Sequence, residues 1–99
     1  MKSLKEIQKI LVQQKEFLQR EYKVKELGIF GSYVRGEQKS TSDLDILVEF
    51  ENGAKVGLLK FVNLENYLSE ILGIKVDLVL KSALKPRIGN QILKEVMYL

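Results

Sequence analysis

Asp43, Asp45 and Asp77 are the residues of this 99-residue chain whose type and placement best suit chemistry. Asp43 and Asp45 stand two apart where the alternating run Leu44-Asp45-Ile46-Leu47-Val48-Glu49-Phe50 begins, a pattern that predicts a strand over 44–50. Residues two apart on extended backbone share a face. With Leu44, Ile46, Val48 and Phe50 turned to a core, both carboxylates lie on the opposite face. Asp77 sits inside Lys75-Val76-Asp77-Leu78-Val79-Leu80, where Val76, Leu78 and Leu80 share the face that Asp77 leaves. If this strand pairs beside the other, all three carboxylates converge. Two carboxylates about 4 Å apart repel by about 4 kcal/mol at an effective dielectric of roughly 20. A divalent cation reverses the sign of that balance. Oxygen-only ligation, completed by water and substrate phosphate, is the usual hold on Mg²⁺. Such ions can clamp the attacking and leaving oxygens of a phosphoryl displacement. Each piece alone also has a structural reading: Ser42-Asp43 suits a turn that opens a strand, and Asp77 suits an exposed edge.

A second cluster is Gly31-Ser32-Tyr33-Val34-Arg35-Gly36, which follows the apolar run Val24 to Phe30 directly. Gly31 permits a tight exit from strand to helical turn. Ser32 is placed to cap that turn and to aim a hydroxyl and backbone N–H groups at an anion. Arg35, one turn further, can reach a phosphate or tie the loop to a carboxylate. Tyr33 can stack on a ligand or cover the core, and the core is the reading favoured here.

Composition removes competing chemistries. The chain has no Cys and no His. That excludes disulfides, thiolate zinc sites, cysteine nucleophiles and imidazole bases, so carboxylates, Lys, Tyr and backbone must carry any acid–base or metal work. With 45% hydrophobic and 29% charged residues it reads as a globule. The net charge of +3 comes from lysines spread along the chain, which favours a solvated surface over a nucleic-acid patch. No stretch approaches the roughly 20 apolar residues of a membrane span. The expectation is one domain over residues 1–99, in the cytoplasm, with no membrane partner.

The elements that must position these residues are legible from periodicity. Ser3 to Glu21 predicts an amphipathic helix, with Leu4, Ile7, Ile10, Leu11, Phe17 and Leu18 on one side and Ser3 and Glu6 at capping-box spacing. Strands follow over 24–30 and 44–50, then a turn at Asn52-Gly53. Leu58 to Leu72 predicts a helix whose inner stripe is Leu58, Phe61, Val62, Leu68, Ile71 and Leu72, stopped by Gly73. Ile74 to Leu80 is the third strand. Pro86 opens a last helix with Ile88, Ile92, Leu93 and Val96 on one face. The order α-β-β-α-β-α implies an α/β (α+β) domain, a small mixed sheet covered by helices.

Taken together, Gly31-Ser32-x-x-Arg35-Gly36, five further residues, Ser42-Asp43-x-Asp45-x-x-Val48 and the distant Asp77 make a demanding pattern. It resembles the minimal nucleotidyltransferase (MNT) family of the DNA polymerase β-like superfamily, and the element order agrees with that family's palm. The resemblance implies that Gly31 and Ser32 hold the β- and γ-phosphates of a nucleoside triphosphate. It implies that Asp43 and Asp45 ligate metal, with two Mg²⁺ ions expected, and that Asp77 is the third carboxylate, a metal ligand that helps deprotonate the acceptor hydroxyl. Arg35 matches a recurrent position, grouped here with the nucleotide-binding residues. Minimal members are similar to antitoxins that move AMP from ATP to a tyrosine of a HEPN-domain toxin, which makes a HEPN protein the expected partner and substrate. Two other readings stand beside it: neutralisation of a toxin by stoichiometric binding, and transfer to RNA or to a small molecule such as an antibiotic. A homo-oligomer is compatible with the apolar surface that so small a sheet leaves over.

Overall fold

The computed structural model describes residues 2–99. Helix α1 spans Leu4–Tyr22, strand β1 Val24–Phe30, the short helix α2 Ser32–Arg35 and strand β2 Leu44–Phe50. Helix α3 spans Leu58–Leu72 and strand β3 Val76–Leu80. A 3₁₀ turn follows at Lys81–Ala83, then helix α4 over Pro86–Glu95 and strand β4 over Met97–Tyr98. The sheet order is β3-β2-β1-β4. β1 runs antiparallel to both neighbours, whereas β2 and β3 are parallel and joined by α3 as a crossover. The mixed sheet with helices expected from the sequence is what the chain forms, with three short elements added: α2, the 3₁₀ turn and the C-terminal strand β4.

Local chemistry explains the boundaries. The Ser3 hydroxyl accepts the Glu6 N–H at 3.2 Å while the Glu6 carboxylate accepts the Ser3 N–H, so the predicted capping box opens α1. Ser3→Ala should cost about 1 kcal/mol of stability, read as a lower urea midpoint at unchanged slope. Gly73, at φ 66°, ends α3 as expected, and Pro86 occupies the first turn of α4. β3 begins at Val76 rather than Ile74.

The core lies between the helices and one face of the sheet. Ile7, Leu11 and Leu18 of α1 pack with Leu64, Leu68 and Leu72 of α3 and with Leu44, Ile46, Val48, Val76 and Leu78 from the strands. Each fully buried Leu or Ile contributes roughly 1.5–3 kcal/mol of transfer free energy. The α1 face is as predicted. The α3 stripe is corrected: Leu64 is buried, whereas Leu58 and Val62 are exposed. Apolar residues surround most of α3, so its own periodicity left the arc ambiguous, and the sheet selects Leu64, Leu68 and Leu72. Leu58 instead overhangs a groove lined by Phe50, Phe61 and Leu80. The α4 face is also corrected. Ile88 and Leu93 are exposed, Gly89 is the buried residue, and Val96 lies past the helix as its C-cap.

β3 is an edge strand, and α3 blunts that edge. The Ser69 hydroxyl accepts the Val76 N–H and the Glu65 carboxylate accepts the Leu78 N–H, both at 2.9 Å. Ser69 and Glu65 are four apart on one helix face, which matches the two-residue repeat of a strand. Asp77 lies between the two anchored residues, so its place in the sheet is set from the far side.

Candidate active site

The parallel ladder sets Asp45 directly beside Asp77. Facing residues on parallel strands project from the same face, so the pairing that the sequence left as an assumption brings these carboxylates together. Asp43 precedes β2 by one residue, after a turn in which the Ser42 hydroxyl accepts the Lys39 N–H at 2.8 Å. Ser42 thus has the turn role open to it from sequence, and the turn delivers Asp43 to the same end of the sheet.

Asp45 is half-buried and feels its neighbours. Desolvation by burial is the largest influence raising its pKa above the usual carboxylate range, followed by repulsion from Asp77 and then Asp43; Arg35 opposes them. The repulsion marks a place where added positive charge is favourable, and the donors are carboxylate oxygens, the set that suits a hard divalent cation. In this side-chain arrangement no three acidic groups among the described residues are drawn into a closed metal cage. The carboxylate donors themselves are of the kind that a hard divalent cation takes.

The turn between β1 and α2 lies against the same carboxylates. Gly31 has φ 82° and ψ −152°, a combination open almost solely to glycine. A Cβ built there would fall inside the Asp45 carboxylate. The turn and the metal-ligand candidate are therefore packed in contact, with only a hydrogen's width between them. Gly31, not Ser32, is the N-cap of α2, and no side chain caps this helix. That corrects the capping role expected of Ser32, which is the first helical residue because the tight exit from β1 falls one position earlier. Tyr33 points into the core, as favoured from sequence, and is buried there.

Arg35 takes the second of its two sequence readings, a tie to carboxylates. Its Nη1 donates to Glu95 Oε1 at 2.6 Å and its Nε to Glu37 Oε2 at 3.0 Å. The other Glu95 oxygen accepts the Gly31 N–H at 2.8 Å. Pairing with Arg35 is the largest influence on Glu95 and, with the Gly31 N–H, holds its pKa below the ordinary value against the opposing effect of burial. Sequence reasoning missed Glu95. It lies 64 positions from Gly31, in a helix whose pattern advertised only its apolar face. The one available signal was Arg35 itself, a cation beside a glycine turn that needs an anion.

An open cleft of about 600 Å³ borders the site on the α1 side, lined by Lys2, Tyr33, Ser40, Thr41, Asp43 and Lys75 among others. Of the three aspartates Asp43 alone reaches it; Gly31, Ser32, Asp45 and Asp77 lie outside its walls. No helix among the described residues is long and apolar enough to cross a membrane.

Comparison with known proteins places the chain in a family. The nucleotidyltransferase domain family matches residues 11–99. The protein adenylyltransferase MntA of Thermococcus cleftensis is 52% identical over 98 residues, covering 99% of this chain and 97% of the relative. A solved structure provisionally assigned as a minimal nucleotidyltransferase superposes with a TM-score of 0.74 at 34% identity, covering 94% of this chain and 95% of the other. A chain of the solved Shewanella oneidensis complex of a tri-AMPylated HEPN toxin with an MNT antitoxin shares the fold, with a TM-score of 0.66 at 20% identity, covering 93% of this chain and 70% of that one. Members of the matched family generally use a divalent metal. With the Gly-Ser turn, the paired aspartates and the third strand carboxylate assembled on one sheet, this chain belongs to the nucleotidyltransferase domain family.

Proposed function

We propose that this chain transfers AMP from ATP to a tyrosine hydroxyl of a HEPN-domain toxin and thereby acts as its antitoxin. The observation that carries the reading is the pairing of Asp45 with Asp77 across β2 and β3, beside the Gly31 turn and within two residues of Asp43. The adenylyltransferase name of the Thermococcus relative and the AMPylated toxin in the Shewanella complex support the choice of nucleotide and acceptor.

In this reading Gly31 and Ser32 receive the β- and γ-phosphates, and Asp43, Asp45 and Asp77 hold two Mg²⁺ ions. The ions would supply charge neutralisation at the entering and departing oxygens. The residues of the chain do the rest. Asp45, fixed against Gly31, ties the position of the carboxylates to that of the phosphate turn. Asp77, exposed on the outer strand, is open to the acceptor and takes the hydroxyl proton. The freed oxygen forms a bond to the α-phosphorus in line as the bond to the pyrophosphate oxygen breaks. Orientation and electrostatic preorganisation supply the acceleration.

Exposed apolar residues on α3 and α4, among them Leu58, Leu59, Ile88 and Leu93, give a second reading some footing: a surface that occludes a toxin by binding alone. Intact mass spectrometry separates the two. The chain is incubated with the HEPN protein of its own genomic neighbourhood, Mg²⁺ and each ribonucleoside triphosphate in turn. A gain of one or more AMP masses on the partner, lost in the Asp43→Asn and Asp45→Asn proteins, is expected. A stable complex with no mass gain would replace transfer by stoichiometric binding.

A further inference from the structure

We propose that Glu95 is a positioning residue of the nucleotide site, acting from the last turn of α4 through Gly31 and Arg35. The inference rests on the transferase reading above. Gly31 is buried and its backbone conformation belongs to neither helix nor strand, so its N–H needs a dedicated acceptor. One Glu95 oxygen is that acceptor, at 2.8 Å, while the other holds Arg35 at 2.6 Å. A single carboxylate therefore grips both ends of the four-residue helix α2, its N-cap and its last residue. The side of Gly31 on which a Cβ would stand lies against Asp45. The turn is thus clamped between a carboxylate that steadies it and a carboxylate of the metal set.

The rest of α4 shows why this contact matters. The helix buries only Gly89, and its apolar Ile88 and Leu93 face solvent. Packing alone anchors it poorly. Its C-terminal end is held instead by the Glu95 contacts and by β4, which pairs with β1 at Gly28 and Ile29. Arg35, engaged by both Glu95 and Glu37, serves this clamp.

The test uses the full chain. Binding of a non-hydrolysable ATP analogue with Mg²⁺ is measured by calorimetry, beside steady-state transfer to the acceptor. Glu95→Ala is expected to weaken analogue binding and raise KM for the triphosphate by about tenfold or more. Its kcat should change by less than about threefold, and KM for the acceptor should be unaltered. Glu95→Gln keeps an oxygen for the Gly31 N–H and should recover part of the loss; it also serves as the test protein if Glu95→Ala fails to fold. Arg35→Met combined with Glu95→Ala should be no worse than the poorer single variant, because both act on one clamp. Folded Glu95 variants that bind the analogue within twofold of the parent overturn the inference and leave the transferase reading standing. So does a loss confined to kcat. A parent protein that binds no triphosphate overturns both.

Discussion

Asp43→Asn and Asp45→Asn proteins are expected to lose nucleotidyl transfer by about 10³-fold or more while remaining folded, and Asp45→Asn to melt at a higher temperature than the parent. The loss follows from removing a negative donor at the point where charge develops in the transition state, a class of change that costs about 10²–10³ in kcat even when a single hydrogen bond is involved. The stability gain follows from the environment of Asp45. Burial, then Asp77, then Asp43 raise its carboxyl pKa, so in the folded state the ionised form is disfavoured. A carboxyl raised in this way contributes stability below its unfolded value of about 3.9, and that contribution is lost as pH rises through the folded value. At neutral pH ionised Asp45 therefore costs stability, and the isosteric amide removes the cost. Asp45 is partly open to solvent, so screening keeps the gain near 0.5 kcal/mol, or about 2–4 °C in Tm for a domain of this size. The gap between the two proteins should close below about pH 4, where the parent carboxyl is protonated as well. Calorimetric melts at several pH values, together with transfer assays, measure both effects. Full transfer by both variants would remove the metal-ligand assignment.

Gly31→Ala is expected to be the most damaging single change outside the apolar core. Two independent effects add at this position. The conformation at φ 82° and ψ −152° is strained for any side-chain-bearing residue, at about 1–3 kcal/mol. The new methyl would also occupy the space of the Asp45 carboxylate. Displacing that carboxylate moves it off its alignment with Asp77, so transfer should fall with stability. A total near 3–4 kcal/mol is expected, a large fraction of the stability of a domain with typical marginal stability. Gly53→Ala is the control. Gly53 also has positive φ, at 79°, but nothing lies within 4 Å of a Cβ built there. It should lose only about 1 kcal/mol and keep its activity. Denaturant unfolding of the two proteins measures how much more is lost at Gly31 than at a positive-φ glycine with open space around it. Equal losses would show that the contact with Asp45 contributes nothing.

The sequence by itself determined what short-range physics encodes. The capping box of Ser3 and Glu6, the strands over 24–30 and 44–50, the extent of α3 with its Gly73 stop, and the Pro86 start all emerged where local pattern placed them. Each depends on neighbours within a turn or on side-chain alternation, which the chain carries along its length. The nomination of Asp43, Asp45, Asp77, Gly31 and Ser32 was likewise local, because chemistry-bearing residues stand at the turns and strand ends that present them. Tertiary structure decided everything that depends on who sits beside whom. The register of β3 on β2 turned two distant aspartates into neighbours. The sheet chose Leu64 over Leu58 and Val62 for burial, because the apolar arc of α3 is wider than the face it can bury. The clamp of Glu95 on Gly31 and Arg35, and the short strand β4 that follows it, were absent from the reading because no periodicity links residues sixty or more positions apart. Such contacts exist only once chain closure has placed α4 against the β1 turn.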